Sequence, residues 1–133
     1  MARSVAELGE EGVIRLLAER CPAAGRGGRL GIGDDAALLA ESPWAVTTDL
    51  LVEGRHFDRA WCTPADVGHK ALAASLSDAA AMGAAPGPFF LSLGLPGATP
   101  VADVSAFADG LAACARAAGA WLAGGDTVAA ASW

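Results

Sequence analysis

The sequence predicts an α+β domain with helices packed on one face of a β-sheet. Three observations predict it. Two segments carry apolar residues at helical spacing, each opened by a Thr-Pro pair and closed by a glycine. Short runs rich in β-forming residues lie between and around them. The chain has 133 residues and is 53% hydrophobic, enough for one domain with a real core.

The elements follow in order. Residues 10–20 read as a short amphipathic helix with Val13, Ile14, Leu16 and Leu17 on its apolar side, ended by Pro22. Residues 25–29 read as a flexible basic loop. Residues 30–40, LGIGDDAALLA, read as a Gly-bounded turn followed by a short strand, and residues 44–51, WAVTTDLL, as a second strand. Residues 54–62 form a loop carrying His56, Phe57 and Trp61. Thr63 as N-cap and Pro64 at the first helical position start a helix that runs to Met82 and stops at Gly83. Residues 89–95, FFLSLGL, read as a buried strand. Thr99-Pro100 repeats the helix start; Val104, Phe107, Leu111, Cys114 and Ala118 follow at helical spacing, with Gly119 as the stop. Residues 120–123 read as a short strand entering a turn at Gly124-Gly125-Asp126-Thr127. Residues 128–133 open a further apolar segment with no turn or cap. A fragment, or a sheet completed by another segment or subunit, is therefore expected.

Composition removes several function classes. Nine basic against fifteen acidic residues give a net charge of −6, with no basic block to track a nucleic-acid backbone. The acidic excess suits divalent cations, although ordinary solubility accounts for the overall charge. Cys21, Cys62 and Cys114 are odd in number and form no CxxC pair, so neither zinc ligation nor a disulfide framework is supported. Residues 1–12 carry charges in place of an apolar signal core, and no apolar run is long enough to span a bilayer. A soluble cytoplasmic protein with reduced thiols is expected.

The chemistry-bearing residues are mostly acidic. Asp34 and Asp35 sit together on a glycine turn, where adjacent carboxylates repel unless a cation such as Mg²⁺ relieves them. A solvated turn explains the pair equally well. Thr47, Thr48 and Asp49 end an apolar strand, a usual place for ligands and equally an ordinary strand end. His56 beside Arg55 suits an anionic phosphate, against the plainer reading of an exposed loop histidine. On the long helix, Lys70, Ala74, Ser77, Asp78 and Ala81 share a small polar face that suits a cavity. That makes Asp78 a candidate buried metal ligand and Lys70 a candidate phosphate or carboxylate partner. An Ala-rich helix with ordinary polar positions fits as well. Gly125 and Asp126 offer backbone N–H groups and a carboxylate to a nucleotide, or form only a turn. Trp44, Trp61, Trp121 and Trp133 read as core or interface residues. No nucleophile–base arrangement and no Walker A motif occur, so no side chain is assigned as catalytic.

Taken in order, ELGEEGVIRLL, LGIGDDAALL, TTDLLVEGRHF, KALAASLSDAAAMGAAP and LAGGDT resemble thiamine-monophosphate kinase. This family lies in the aminoimidazole ribonucleotide synthetase-like superfamily of ATP-dependent enzymes, and GIGDDAA with VEGRHF points to its thiamine branch. The resemblance implies a mixed sheet with helices on one side, dimerising through the sheet to a homodimer. It implies transfer of phosphate from ATP to thiamine monophosphate, in line and assisted by Mg²⁺. By motif, Asp34 and Asp35 would be metal ligands, Thr47, Thr48 and Asp49 would hold Mg²⁺, and Asp78 would bridge metals. Gly125 and Asp126 would contact ATP and metal, and His56 the substrate phosphate. Lys70 matches a family lysine. The chain departs from the pattern at Ser75, where the family often has Asn, and lacks the basic residue expected after GGDT. The family protein is about twice as long. Residues 1–133 are thus expected to be an N-terminal ATP- and Mg²⁺-binding domain without its C-terminal partner. The alternatives are a superfamily synthetase acting on selenide or a purine precursor, and a non-catalytic dimerisation module.

Overall fold

The computed structural model describes residues 43–133 throughout and, before them, residues 11, 12, 14, 15, 20, 28–30 and 35–39. The chain divides into two compact units, Met1–Val46 and Thr47–Trp133.

In the first unit, β1 (Gly28–Leu30), β2 (Ala37–Leu39) and β3 (Ala45–Val46) form an antiparallel sheet in that order. Part of the expected loop at 25–29 is thus strand. Glu11, Gly12, Ile14, Arg15 and Arg20 are helical, in line with the helix expected over 10–20, whose other positions lie outside the described residues. The strand expected over 44–51 is confined to Ala45–Val46. From Thr47 onward the side chains bond to a helix instead of continuing a ladder.

The second unit begins its regular structure with α1 (Pro64–Ala81). Thr63 caps it as expected and forms a full capping box with Asp66: Asp66 N–H donates to Thr63 Oγ1, and Thr63 N–H donates back to Asp66 Oδ2 at 2.9 Å. The bonds from Thr63 hold the Asp66 carboxyl below its ordinary range. Its stabilising effect is therefore present above the ordinary carboxylate pKa and lost as pH falls through the lowered one. α1 ends at Ala81 with Met82 as its C-cap, followed by Gly83 with φ +67°.

β4 (Pro88–Leu95), α2 (Val101–Ala118) and β5 (Trp121–Ala129) follow. α2 is capped at Pro100, without a side-chain bond, so Thr99 lies outside the helix and Pro100 is not its first helical residue. Gly119 ends α2 as expected, in the left-handed region at φ +76°. β4 and β5 pair in parallel from Pro88↔Trp121 to Leu95↔Ala129, as a helical crossover allows. β5 runs straight through Gly124-Gly125-Asp126-Thr127, so the expected turn there is strand. β4 is half-buried, not buried: Phe89, Leu91, Leu93 and Leu95 pack toward the core, while Phe90 is 74% exposed.

The core sits where α1 meets α2. Val67 and Leu72 of α1 and Phe107, Leu111, Cys114 and Ala115 of α2 are buried, together with Phe57 and Trp133. Two glycines let the helix backbones touch. A methyl group at Gly68 would lie 2.0 Å from the Phe107 carbonyl oxygen, and one at Gly110 would lie 1.9 Å from that of Ala65. Of the tryptophans only Trp133 is core; Trp44, Trp61 and Trp121 are exposed. Cys62 and Cys114 are free thiols, and burial pushes that of Cys114 up.

Candidate metal and nucleotide site

The segment 47–49 lies along α1 and exchanges hydrogen bonds with it in both directions. Thr47 Oγ1 donates to Asp78 Oδ2 at 3.1 Å, and Ser75 Oγ donates to Asp49 Oδ2 at 3.2 Å. Ser75 and Asp78 are three apart on the helix and so share a face. Each strand of contact thus carries one hydroxyl and one carboxylate, crossed. The hydroxyls hold the two carboxylates where 47–49 meets α1, each through its Oδ2. Ser75 replaces an expected Asn amide, yet its hydroxyl makes the bond. Its place three residues before Asp78 was the one signal that could have put it in the site.

Asp78 is half-buried, and no charged side chain is buried among the described residues. The buried ligand expected at this position is therefore a partly exposed one. The buried residues of α1 end at Leu72, and Asp78 lies in the last turn of the helix, beyond them. Thr48 is exposed and takes no part in the ladder.

Asp126 is exposed on β5 opposite Ser92, and its Oδ1 accepts the Thr127 N–H at 2.8 Å. Asp35 is exposed in the first unit, and Asp34 lies outside the described residues. Among the described residues no three His, Cys, Asp or Glu side chains are gathered closely enough to hold a metal. The ladder brings together Asp49 and Asp78 only. Its four oxygen donors are nonetheless hard ligands, the chemistry Mg²⁺ selects.

Gly125 has φ +153°, and a methyl group there would lie 1.9 Å from the Leu91 carbonyl oxygen. Close approach of β4 therefore demands this glycine whether or not a nucleotide does. An apolar hollow of about 340 Å³, lined by Phe89, Leu111, Ala115, Arg116 and Leu122 among others, contains none of the acidic candidates.

His56 is exposed on a tightly bonded loop. Its N–H donates to the Val52 carbonyl at 2.9 Å, and Gly54 N–H donates to the Phe57 carbonyl at 2.8 Å. Val52 N–H donates to His56 Nδ1 at 3.0 Å, so a neutral ring carries its proton on Nε2. The ring thus presents a donor outward, as an anion requires. Lys70, expected to meet a phosphate or carboxylate, donates to the His56 carbonyl instead.

Residues 33–132 match the family described as AIR synthase related protein, N-terminal domain. The chain is 43% identical over 127 residues to a thiamine-monophosphate kinase of Synechococcus elongatus, covering 93% of this chain and 37% of that protein. It is 44% identical over 106 residues to one of Mycobacterium tuberculosis, covering 78% and 32%. It thus spans about a third of the length of these curated relatives. Among solved structures it resembles AaThiL complexed with AMPPCP and TMP, with TM-score 0.86, 30% identity, and coverage of 99% of this chain and 41% of that one. A crystal structure of thiamine-monophosphate kinase from Aquifex aeolicus matches with TM-score 0.80 and 29% identity over 98% of this chain and 41% of that one.

Proposed function

The chain belongs to the family of AIR synthase related proteins, N-terminal domain, and we propose that it supplies the metal- and ATP-binding half of a thiamine-monophosphate kinase. The crossed hydroxyl–carboxylate ladder between 47–49 and α1 carries this reading. The similarity to proteins named thiamine-monophosphate kinase, and to a structure holding AMPPCP and TMP, supports it.

In the proposed reaction a phosphate oxygen of thiamine monophosphate attacks the γ-phosphorus of ATP in line. One P–O bond forms as the bond to the β-phosphate oxygen breaks, giving thiamine diphosphate and ADP. Such a transfer needs positioning and charge neutralisation more than a protein nucleophile, which agrees with the lack of an assigned catalytic side chain. Asp49 and Asp78, with the Thr47 hydroxyl, would hold Mg²⁺; by their motifs Asp34, Asp35, Thr48 and Asp126 are also proposed as metal ligands. When bound, the ion supplies neutralisation of the phosphate charge. The Ser75 hydroxyl orients Asp49. Gly125 and Asp126 meet the nucleotide, and His56 offers Nε2–H to the substrate phosphate.

A chimera tests this reading: residues 1–133 replace the matching segment of the Synechococcus elongatus protein. Conversion of thiamine monophosphate to the diphosphate with ATP and Mg²⁺ is expected. A folded chimera without that turnover contradicts the reading.

A homodimer through the sheet belongs to the same proposal. β5 is exposed along its whole length, and Phe90, Trp121 and Val128 are each more than half exposed. Such a patch on a parallel pair calls for cover. Sedimentation velocity is expected to give a dimer for the parent chain and a monomer for Val128→Lys. A parent that stays monomeric at its highest soluble concentration contradicts it. A cytoplasmic location fits the free Cys62 and Cys114 thiols. Among the described residues no helix is long and apolar enough to cross a membrane.

A further inference from the structure

The loop over residues 52–62 carries His56, and Trp133 grips both of its limbs. On the first limb, Glu53 N–H donates to the Trp133 carbonyl at 2.9 Å. On the second, the Arg59 guanidinium lies 4.9 Å from the centroid of the Trp133 ring, inside cation–π range, and pairs with Asp103 of α2. The indole is only 8% exposed and stands edge-on to Phe107 of α2, with ring centroids 5.8 Å apart. Between the limbs, Lys70 of α1 holds the His56 carbonyl.

Burial alone accounts for an aromatic residue in the core. It does not account for the contacts to Glu53 and Arg59, which lie on either side of His56. The indole Nε1 is buried without a hydrogen-bond partner among the described residues, so the ring is not placed to satisfy its own donor. We infer that Trp133 is a positioning residue for His56. It ties the loop to α2 and so fixes where the imidazole Nε2–H points. The consequence for substrate rests on the reading of His56 as a phosphate contact; the positioning itself does not.

Amide hydrogen exchange by NMR on the 133-residue chain tests it, with Trp133→Ala and Trp133→Phe beside the parent. In Trp133→Ala the amides of Glu53 and Val52 exchange about tenfold faster or more, while those of Leu72 and Leu111 in the helices stay within about threefold. Trp133→Phe keeps an aromatic face for Arg59 and holds all four within about threefold. The inference is overturned if Glu53 and Val52 stay protected in Trp133→Ala. It is equally overturned if they lose protection in step with Leu72 and Leu111, as a general loss of stability requires. Should Trp133→Ala not fold, Arg59→Met decides: Val52 exchanges about tenfold faster with the helices within about threefold, and a Val52 change within about threefold overturns the inference.

Titration separates the two levels. Thiamine monophosphate is expected to bind Trp133→Ala about fivefold more weakly than the parent, with AMPPCP affinity unchanged. If the parent binds no thiamine monophosphate while the exchange pattern holds, the substrate reading of His56 fails and the positioning stands. If the parent binds it and exchange does not change, the positioning fails and the substrate reading stands.

Discussion

Alanine at Gly68 or Gly110 destabilises the Thr47–Trp133 unit by about 2–3 kcal/mol, and the pair together prevents folding. The added methyl at Gly68 meets the Phe107 carbonyl oxygen at 2.0 Å and carbon at 2.9 Å; that at Gly110 meets the Ala65 carbonyl oxygen at 1.9 Å and carbon at 2.6 Å. These are backbone atoms of the facing helix and cannot rotate aside. The helices must part, and they hold most of the core between them. Better helix propensity returns at most about 1 kcal/mol per substitution, so the clash wins. Urea unfolding followed by far-ultraviolet circular dichroism reads the loss. Gly97→Ala is the control, because nothing lies within 4 Å of its added methyl. Equal stability of Gly68→Ala and Gly97→Ala would contradict the packing described.

Asp49→Asn and Asp78→Asn act in the opposite manner, on charge and not on packing. Each keeps an oxygen to accept from Ser75 or Thr47 and removes only the charge. Neither carboxylate is buried, so stability changes little. Phosphoryl transfer depends on charge placed against the phosphates, so the rate of thiamine diphosphate formation in the chimera falls about a hundredfold or more in each. Ser75→Ala, which loosens Asp49 without removing it, costs a smaller factor. Turnover and thermal melting measured on the same samples separate these effects. A mutant rate equal to the parent's, with folding intact, removes Asp49 or Asp78 from the site.

The parts of this fold legible in the sequence are those fixed by local chemistry. Thr63-Pro64 and Gly83 bound α1 because caps and stops act within a few residues. Gly119 ends α2 for the same reason, and Phe107, Leu111 and Cys114 face the core as their spacing predicts. The parts that were not legible depend on distant partners. Gly124-Gly125-Asp126-Thr127 looks like a turn, but Gly125 is required by the approach of Leu91 in β4, and the segment is strand. The β-forming residues at 47–49 leave the strand because Thr47 and Asp49 find partners on α1, 31 and 26 residues away. The same pairing drew Ser75 into the site, where residue type alone argued against it. Helical spacing puts Asp78 on α1, but its exposure depends on where the rest of the unit packs, and no helical period gives that.

Calorimetric titration of AMPPCP into the 133-residue chain, with and without Mg²⁺, tests the central claim most directly. Binding that requires Mg²⁺ and is weakened about tenfold or more in Asp78→Asn is the result predicted. AMPPCP binding that is indifferent to Mg²⁺, or equal in the parent and Asp78→Asn, would contradict it.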